Sequence, residues 1–147
     1  MDSALYDSKY LTAMAPVAAG QAANQGNIID TAGFDAVEFV VSIGTIEATG
    51  TVTIKVQQDD LNAAGGMADL EGTSVAYTAA DDGKLAILDV VKPGKRYVRL
   101  LVTTAAANGT INLAIARLYR AKNRPVTQST SEVVASELHV SPAEGTA

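Results

Sequence analysis

The chain has 147 residues, no cysteine, no tryptophan, a single histidine and only 18% charged residues. That composition excludes disulfide scaffolds, thiolate metal sites and cysteine nucleophiles, and leaves any Ser-His-Asp triad dependent on His139 alone. A net charge of −5 argues against a sequence-independent grip on nucleic acid, and the length suits one domain with tails.

Three zones follow along the chain. Residues 1–25 read as an Ala/Gln/Asn-rich N-terminal arm, 26–122 as a β body and 123–147 as a Ser/Thr/Glu-rich C-terminal tail. No run approaches the ~18 consecutive apolar residues of a membrane-spanning helix. The uncharged stretch from Leu11 to Ile29 invites a signal-peptide reading, but Asp2 and Asp7 sit where such a segment needs positive charge.

In the body, Val37, Phe39, Val41 and Ile43 alternate with Ala36, Glu38 and Ser42, the period of a half-buried strand. Val52, Ile54 and Val56 repeat the pattern after Gly44 and Gly50. Two strands this close predict an antiparallel hairpin. Asp59 to Gly72 reads as a long loop around Gly65-Gly66, and Val75 and Tyr77 open another strand. A turn at Asp81-Asp82-Gly83 leads into Leu85 to Val90, a strand apolar on both faces. Pro93-Gly94 marks the next turn, before Val98, Leu100 and Val102. Asn108-Gly109 is a hairpin signal. After it, Ile111, Leu113, Ile115 and Arg117 are expected on one face, with Asn112, Ala114, Ala116 and Leu118 on the other. The absence of a βαβ rhythm predicts an all-β antiparallel sandwich. In the tail, Val134, Leu138 and Val140 share a face of an extended Glu132–Val140, which must pair with its own sheet, pair with a neighbouring chain, or stay solvated.

Candidate chemistry is sparse. Asp59-Asp60 and Asp81-Asp82 are adjacent pairs, whose side chains diverge in a strand, and neither sits in a calcium-loop pattern. They read as turn residues. No Gly-x-Ser-x-Gly occurs, and Gly65-Gly66 lacks the Lys-Ser/Thr of a phosphate loop. His139 lies in the polar tail. No catalytic, cofactor-binding or metal-ligating residue is assigned, and no enzymatic activity is expected. Lys92, Lys95, Arg96, Arg99, Arg117, Arg120, Lys122 and Arg124 concentrate late in the chain. They read either as strand-edge solubilisation or as an interface to an acidic partner. No aromatic platform interleaves with them, so nucleic acid is not an expected partner.

The run Val91-Lys92-Pro93-Gly94-Lys95-Arg96-Tyr97-Val98-Arg99-Leu100, followed by Thr103-Thr104, resembles a G-x-[KR]-R-Y-[VIL]-R strand of small head proteins of tailed bacteriophages. Upstream, Ile28 to Phe39 resembles the ID-x-x-GF strand of the same capsid decoration proteins. Ile43-Gly44 and Gln57-Gln58-Asp59-Asp60 fit the same order, so that the likeness spans roughly residues 26–122. The resemblance implies a jelly-roll β-sandwich without enzymatic activity or cofactor. It implies a homotrimer on the capsid exterior, assembled in the host cytoplasm, that bridges subunits of the major capsid protein. It implies no membrane or nucleic-acid partner. Ala13, Ala15 and Val17 of the arm are then expected in grooves of the shell. Arg96, Tyr97 and Arg99 become candidates for core anchoring or intersubunit contact. Leu101 and Leu118 become apolar faces for oligomerisation, and Arg117 and Leu138 further interface candidates. The alternative is a tail-tip or adhesin module that binds host glycan through exposed tyrosines.

Overall fold

The computed structural model describes residues 3–141 and 143–146. A single helical turn, α1 (Ala4–Asp7), opens the chain, its first turn capped where Ser3 Oγ accepts from Tyr6 N at 3.1 Å. The strands follow as β1 (Lys9–Met14), β2 (Val17–Gly20), β3 (Ala23–Gln25), β4 (Ile29–Asp30), β5 (Phe34–Ile46) and β6 (Thr51–Asp59). Then come β7 (Ala68–Asp69), β8 (Val75–Thr78), β9 (Leu85–Val91), β10 (Tyr97–Ala105) and β11 (Gly109–Ala121).

They form two antiparallel sheets, and the protein is an all-β sandwich. The first sheet runs β1-β11-β5-β9, with β2 also on β11. The second runs β3-β10-β6-β7, with β4 on β10 and β8 on β6. Period-two alternation supplies the core between them. Val37, Phe39, Val41 and Ile43 from β5 meet Val52, Ile54 and Val56 from β6 and Val98, Leu100 and Val102 from β10, all fully buried. Each such side chain contributes about 1.5–3 kcal/mol by leaving water.

Four sequence expectations change. The hairpin expected between Val37–Ile43 and Val52–Val56 does not form. β5 pairs with β11 and β9, while β6 pairs with β10, so the connection crosses between sheets. The Asn108-Gly109 turn likewise passes from the second sheet to the first. Gly109 is needed for space rather than for turn geometry, since a Cβ there would lie 3.0 Å from Val52 Cγ2.

The third change concerns β11. Ile111 sits opposite Ile43 but Leu113 opposite Ser42, leaving Asn112 as an extra residue. This bulge reverses the faces beyond it. Ala114, Ala116 and Leu118 therefore enter the core, and Leu113, Ile115 and Arg117 point to solvent. Asn112 steadies the bulge by donating from Nδ2 to Ser42 Oγ (3.1 Å) and Ile43 O (3.4 Å).

The fourth is the segment expected as an arm. Residues 9–25 lie in the sandwich as β1, β2 and β3, paired with β11 and β10. Buried Thr104 stitches the crossing between them, donating to Gly20 O at 2.8 Å and accepting from Ala22 N at 2.9 Å. The tail forms no strand among the described residues. It runs along β1 instead, and its side chains cover that strand's outer edge. Gln128 Oε1 accepts from Tyr10 N (3.0 Å), Gln128 Nε2 donates to Ser8 O (2.7 Å), and Glu132 Oε2 accepts from Thr12 N (2.6 Å).

Candidate interaction surface

The late basic residues do not form one patch. Arg96 and Arg99 belong to β10 and the turn before it, in the second sheet, whereas Arg117 lies on β11 in the first. Most are paired with acids of the same chain. Arg96 holds Asp30 in a two-point contact, with Nε and Nη2 each 2.8 Å from a carboxylate oxygen, and its guanidinium lies 5.1 Å over the Tyr97 ring. Its hydrogen bonds keep the Asp30 carboxyl below the ordinary range. Lys95 meets Asp60 at 3.3 Å, Lys122 meets Asp35 at 3.6 Å and Arg124 meets Asp7 at 2.6 Å. Arg117 donates to Ser8 Oγ (3.1 Å) and Glu38 (3.3 Å) and covers Tyr119, whose hydroxyl donates to Asp89. That carboxylate pushes the Tyr119 phenol up. A surface whose cations are already answered by its own carboxylates offers little free charge to an acidic partner.

Arg99 is different, because it is 4% exposed and has no carboxylate partner. Its Nε donates to Gln57 Oε1 (2.8 Å), Nη1 to Gln25 Oε1 (2.9 Å) and Nη2 to Ala64 O (3.3 Å). One guanidinium thus ties β6, β3 and the loop after β6 across the outside of β10. Arg99 is an internal pin, unavailable to another molecule. Ala13 and Leu118 are equally enclosed, so these candidates for intermolecular contact belong to the core instead. Tyr97 and Leu101 are half-buried on the second sheet. Of the arm candidates, Ala15 is exposed and Val17 packs partly against the core, while Leu138 in the tail is exposed.

The acidic pairs build turns. Asp59 is buried and accepts from Asp60 N at 2.7 Å. Asp81 closes a capping box with Thr78, and Asp82 accepts from Ile46 N at 2.8 Å. His139 is exposed beside Glu137. Among the described residues, no group of three or more His, Cys, Asp or Glu is placed to hold a metal ion.

The surface that sequence reading missed is the solvent face of the first sheet. Register aligns Thr12, Ile115, Val40 and Ile87 in one row across β1, β11, β5 and β9. Leu113 and Leu85 flank Ser42 in the next row, and Val91 ends another beside Ala36. Leu85 and Ile87 are each 60% exposed, Val91 48% and Leu113 41%. The row of Tyr10, Arg117, Glu38 and Asp89 lies between the Ile87 and Val91 rows, so it bounds the Leu85–Ile87–Leu113 patch on one side and sets Val91 apart from it. β9 is the sheet's outer strand, and an open cleft of about 210 Å³ separates it from the Gly72–Val75 loop. The signal for this face was the double-sided apolarity of Leu85 to Val90. The bulge hid the contribution of β11.

No family model matches the chain, and no curated protein matches it. Among solved structures it is similar to the SPBc2 prophage-derived protein YomS, with a TM-score of 0.47 and 16% identity over 77% of this chain and 93% of that one.

Proposed function

We propose that this chain is a virion structural protein that decorates a capsid and stabilises it by bridging subunits of the major capsid protein. The observation that carries this reading is the exposed apolar patch of the first sheet, built from Leu85, Ile87 and Leu113 with Ile115 and Val40 between them. Exposed apolar rows bordered by polar residues are characteristic of surfaces that meet other macromolecules. The likeness of residues 28–39 and 91–100 to phage head proteins selects the partner class. The order of strands also supports a jelly-roll, because β5, β6, β9, β10 and β11 change sheets at every step except the excursion through β7 and β8. A trimer that lies across capsomer boundaries would hold the shell together by binding the assembled state in preference to free subunits.

The reading is tested with shells of the major capsid protein encoded in the same genome. Added protein is expected to sediment with the shells and raise their disassembly temperature, and Leu113→Lys is expected to weaken both effects. Shells that neither bind nor gain stability at saturating protein would refute it.

A further inference from the structure

We propose that the free edge of β9 takes up residues 133–140 of a second copy of this chain as an added antiparallel strand. The two outer edges of the first sheet are treated differently. The β1 edge is covered by Gln128 and Glu132. The β9 edge has no paired strand, only an open cleft between it and the Gly72–Val75 segment. Ile43 N donates to Lys84 O at 3.0 Å and Lys92 N to Asp35 O at 2.7 Å, so the even-numbered residues turn their backbone groups toward β5. Leu85, Ile87, Asp89 and Val91 therefore turn theirs outward. No backbone hydrogen bond reaches them among the described residues. An unpaired, apolar edge strand is a template for another strand.

The same chain carries a segment suited to it. Val134, Leu138 and Val140 are exposed, and no backbone hydrogen bond involves residues 134–140 among the described residues. With Leu138 set opposite Ile87, an antiparallel register puts Val140 beside Leu85, Ser136 beside Asp89 and Val134 beside Val91. Every apolar residue of the outward face then meets another, and the one acid meets a hydroxyl. A parallel pairing about the same centre would set Leu138 against Asp89. Charge does not oppose the pairing, because residues 125–147 contain Glu132, Glu137 and Glu144 but no lysine or arginine, and Lys92 follows β9, whereas Lys84 before it is held by Asp81.

The tail leaves from the β1 edge and the acceptor is the opposite edge of the sheet. Donor and acceptor surfaces are therefore distinct, and the contact is head-to-tail, the kind that closes into a ring when the rotation allows. This deepens the oligomer in the proposed function and rests on that part of it alone, because shell binding plays no role in the pairing.

The chain has no cysteine, which permits a direct test. Differently tagged Ile87→Cys and Leu138→Cys chains are mixed and oxidised, and the unmodified chain is sized by light scattering. A disulfide between the two kinds of chain is expected, with a mass that is a multiple of the monomer. Leu138→Asp, which lies in the exposed tail and leaves the sandwich intact, is expected to weaken association at least tenfold. Ile87→Pro, which removes an outward N–H and none donated to β5, should act alike. A strict monomer, or the absence of any disulfide between the Ile87→Cys and Leu138→Cys chains, would overturn the pairing, as would unchanged association in Leu138→Asp. Shell binding that survives a negative result would leave the proposed function standing, and oligomers that leave shells bare would remove it while sparing the pairing.

Discussion

Two arginines three positions apart do opposite work. Arg96 sits in solvent with Asp30, and its side chain is 55% exposed. Arg99 is enclosed and satisfies two glutamine oxygens and a loop carbonyl. Removing Arg99 strands those acceptors in a buried setting, so Arg99→Ala is expected to cost about 2–4 kcal/mol in urea unfolding. Arg96→Ala should cost about 1 kcal/mol or less, as exposed ion pairs do. Arg99→Lys should not restore stability, because an ammonium cannot span the three acceptors as a planar fork does. Equal losses at both positions would contradict this division. Asp30 adds a pH dependence. Its carboxyl is lowered in the folded state, so its contribution is present above the ordinary carboxylate value of about 3.9 and is lost as pH falls through the folded value. Unfolding measured near neutrality and in acid should show Asp30→Asn less stable than the parent at the higher pH, with the gap closing in acid. A constant gap would mean that the pair does not titrate with folding.

At the scale of elements, the edges and irregularities matter most. Gln128 and Glu132 replace a missing neighbour strand along β1. Replacing both by alanine is expected to speed amide exchange at Tyr10 and Thr12 and to leave the Phe39 amide unchanged, as measured by hydrogen exchange. Protection unaltered at Tyr10 would show that the tail does not cover the edge. The strands themselves were legible in the sequence, because alternation over Val37–Ile43, Val52–Val56 and Val98–Val102 depends only on one face meeting the core. Their partners were not legible. A short loop between two strands permits either a hairpin or a crossing between sheets, and burial on both sides of the sandwich decides for crossing. The bulge at Asn112 was hidden for a related reason. Ile111 to Leu118 contains apolar residues at both parities, so either face could be chosen until the register with β5 was known. Of the two roles open to Arg99, the structure favours core anchoring, and Ala13, expected in a groove of a shell, is enclosed in the sandwich itself because β1 pairs with β11.

The whole molecule is one sandwich that includes its N-terminal segment. Ala13 and Met14 are in the core, and β1 to β3 supply edges to both sheets. Deleting residues 1–25 is therefore expected to abolish cooperative unfolding, seen as loss of the sigmoidal transition followed by circular dichroism, rather than to trim a dispensable arm. A truncated chain that folds with undiminished stability would contradict the placement of these strands. The composition of the whole chain, poor in charge, histidine and cysteine, acquires a structural meaning at this scale. Among the described residues most of its lysines and arginines pair with its own carboxylates, and the first sheet leaves an apolar edge strand and part of one face exposed. The most direct measurement is a reconstruction of capsid shells incubated with the full chain. The account predicts density of this β-sandwich on the shell exterior, astride boundaries between capsid subunits, with the first sheet engaged in contacts. Bare shells at saturating protein, or sandwiches attached with that sheet facing solvent, would contradict it.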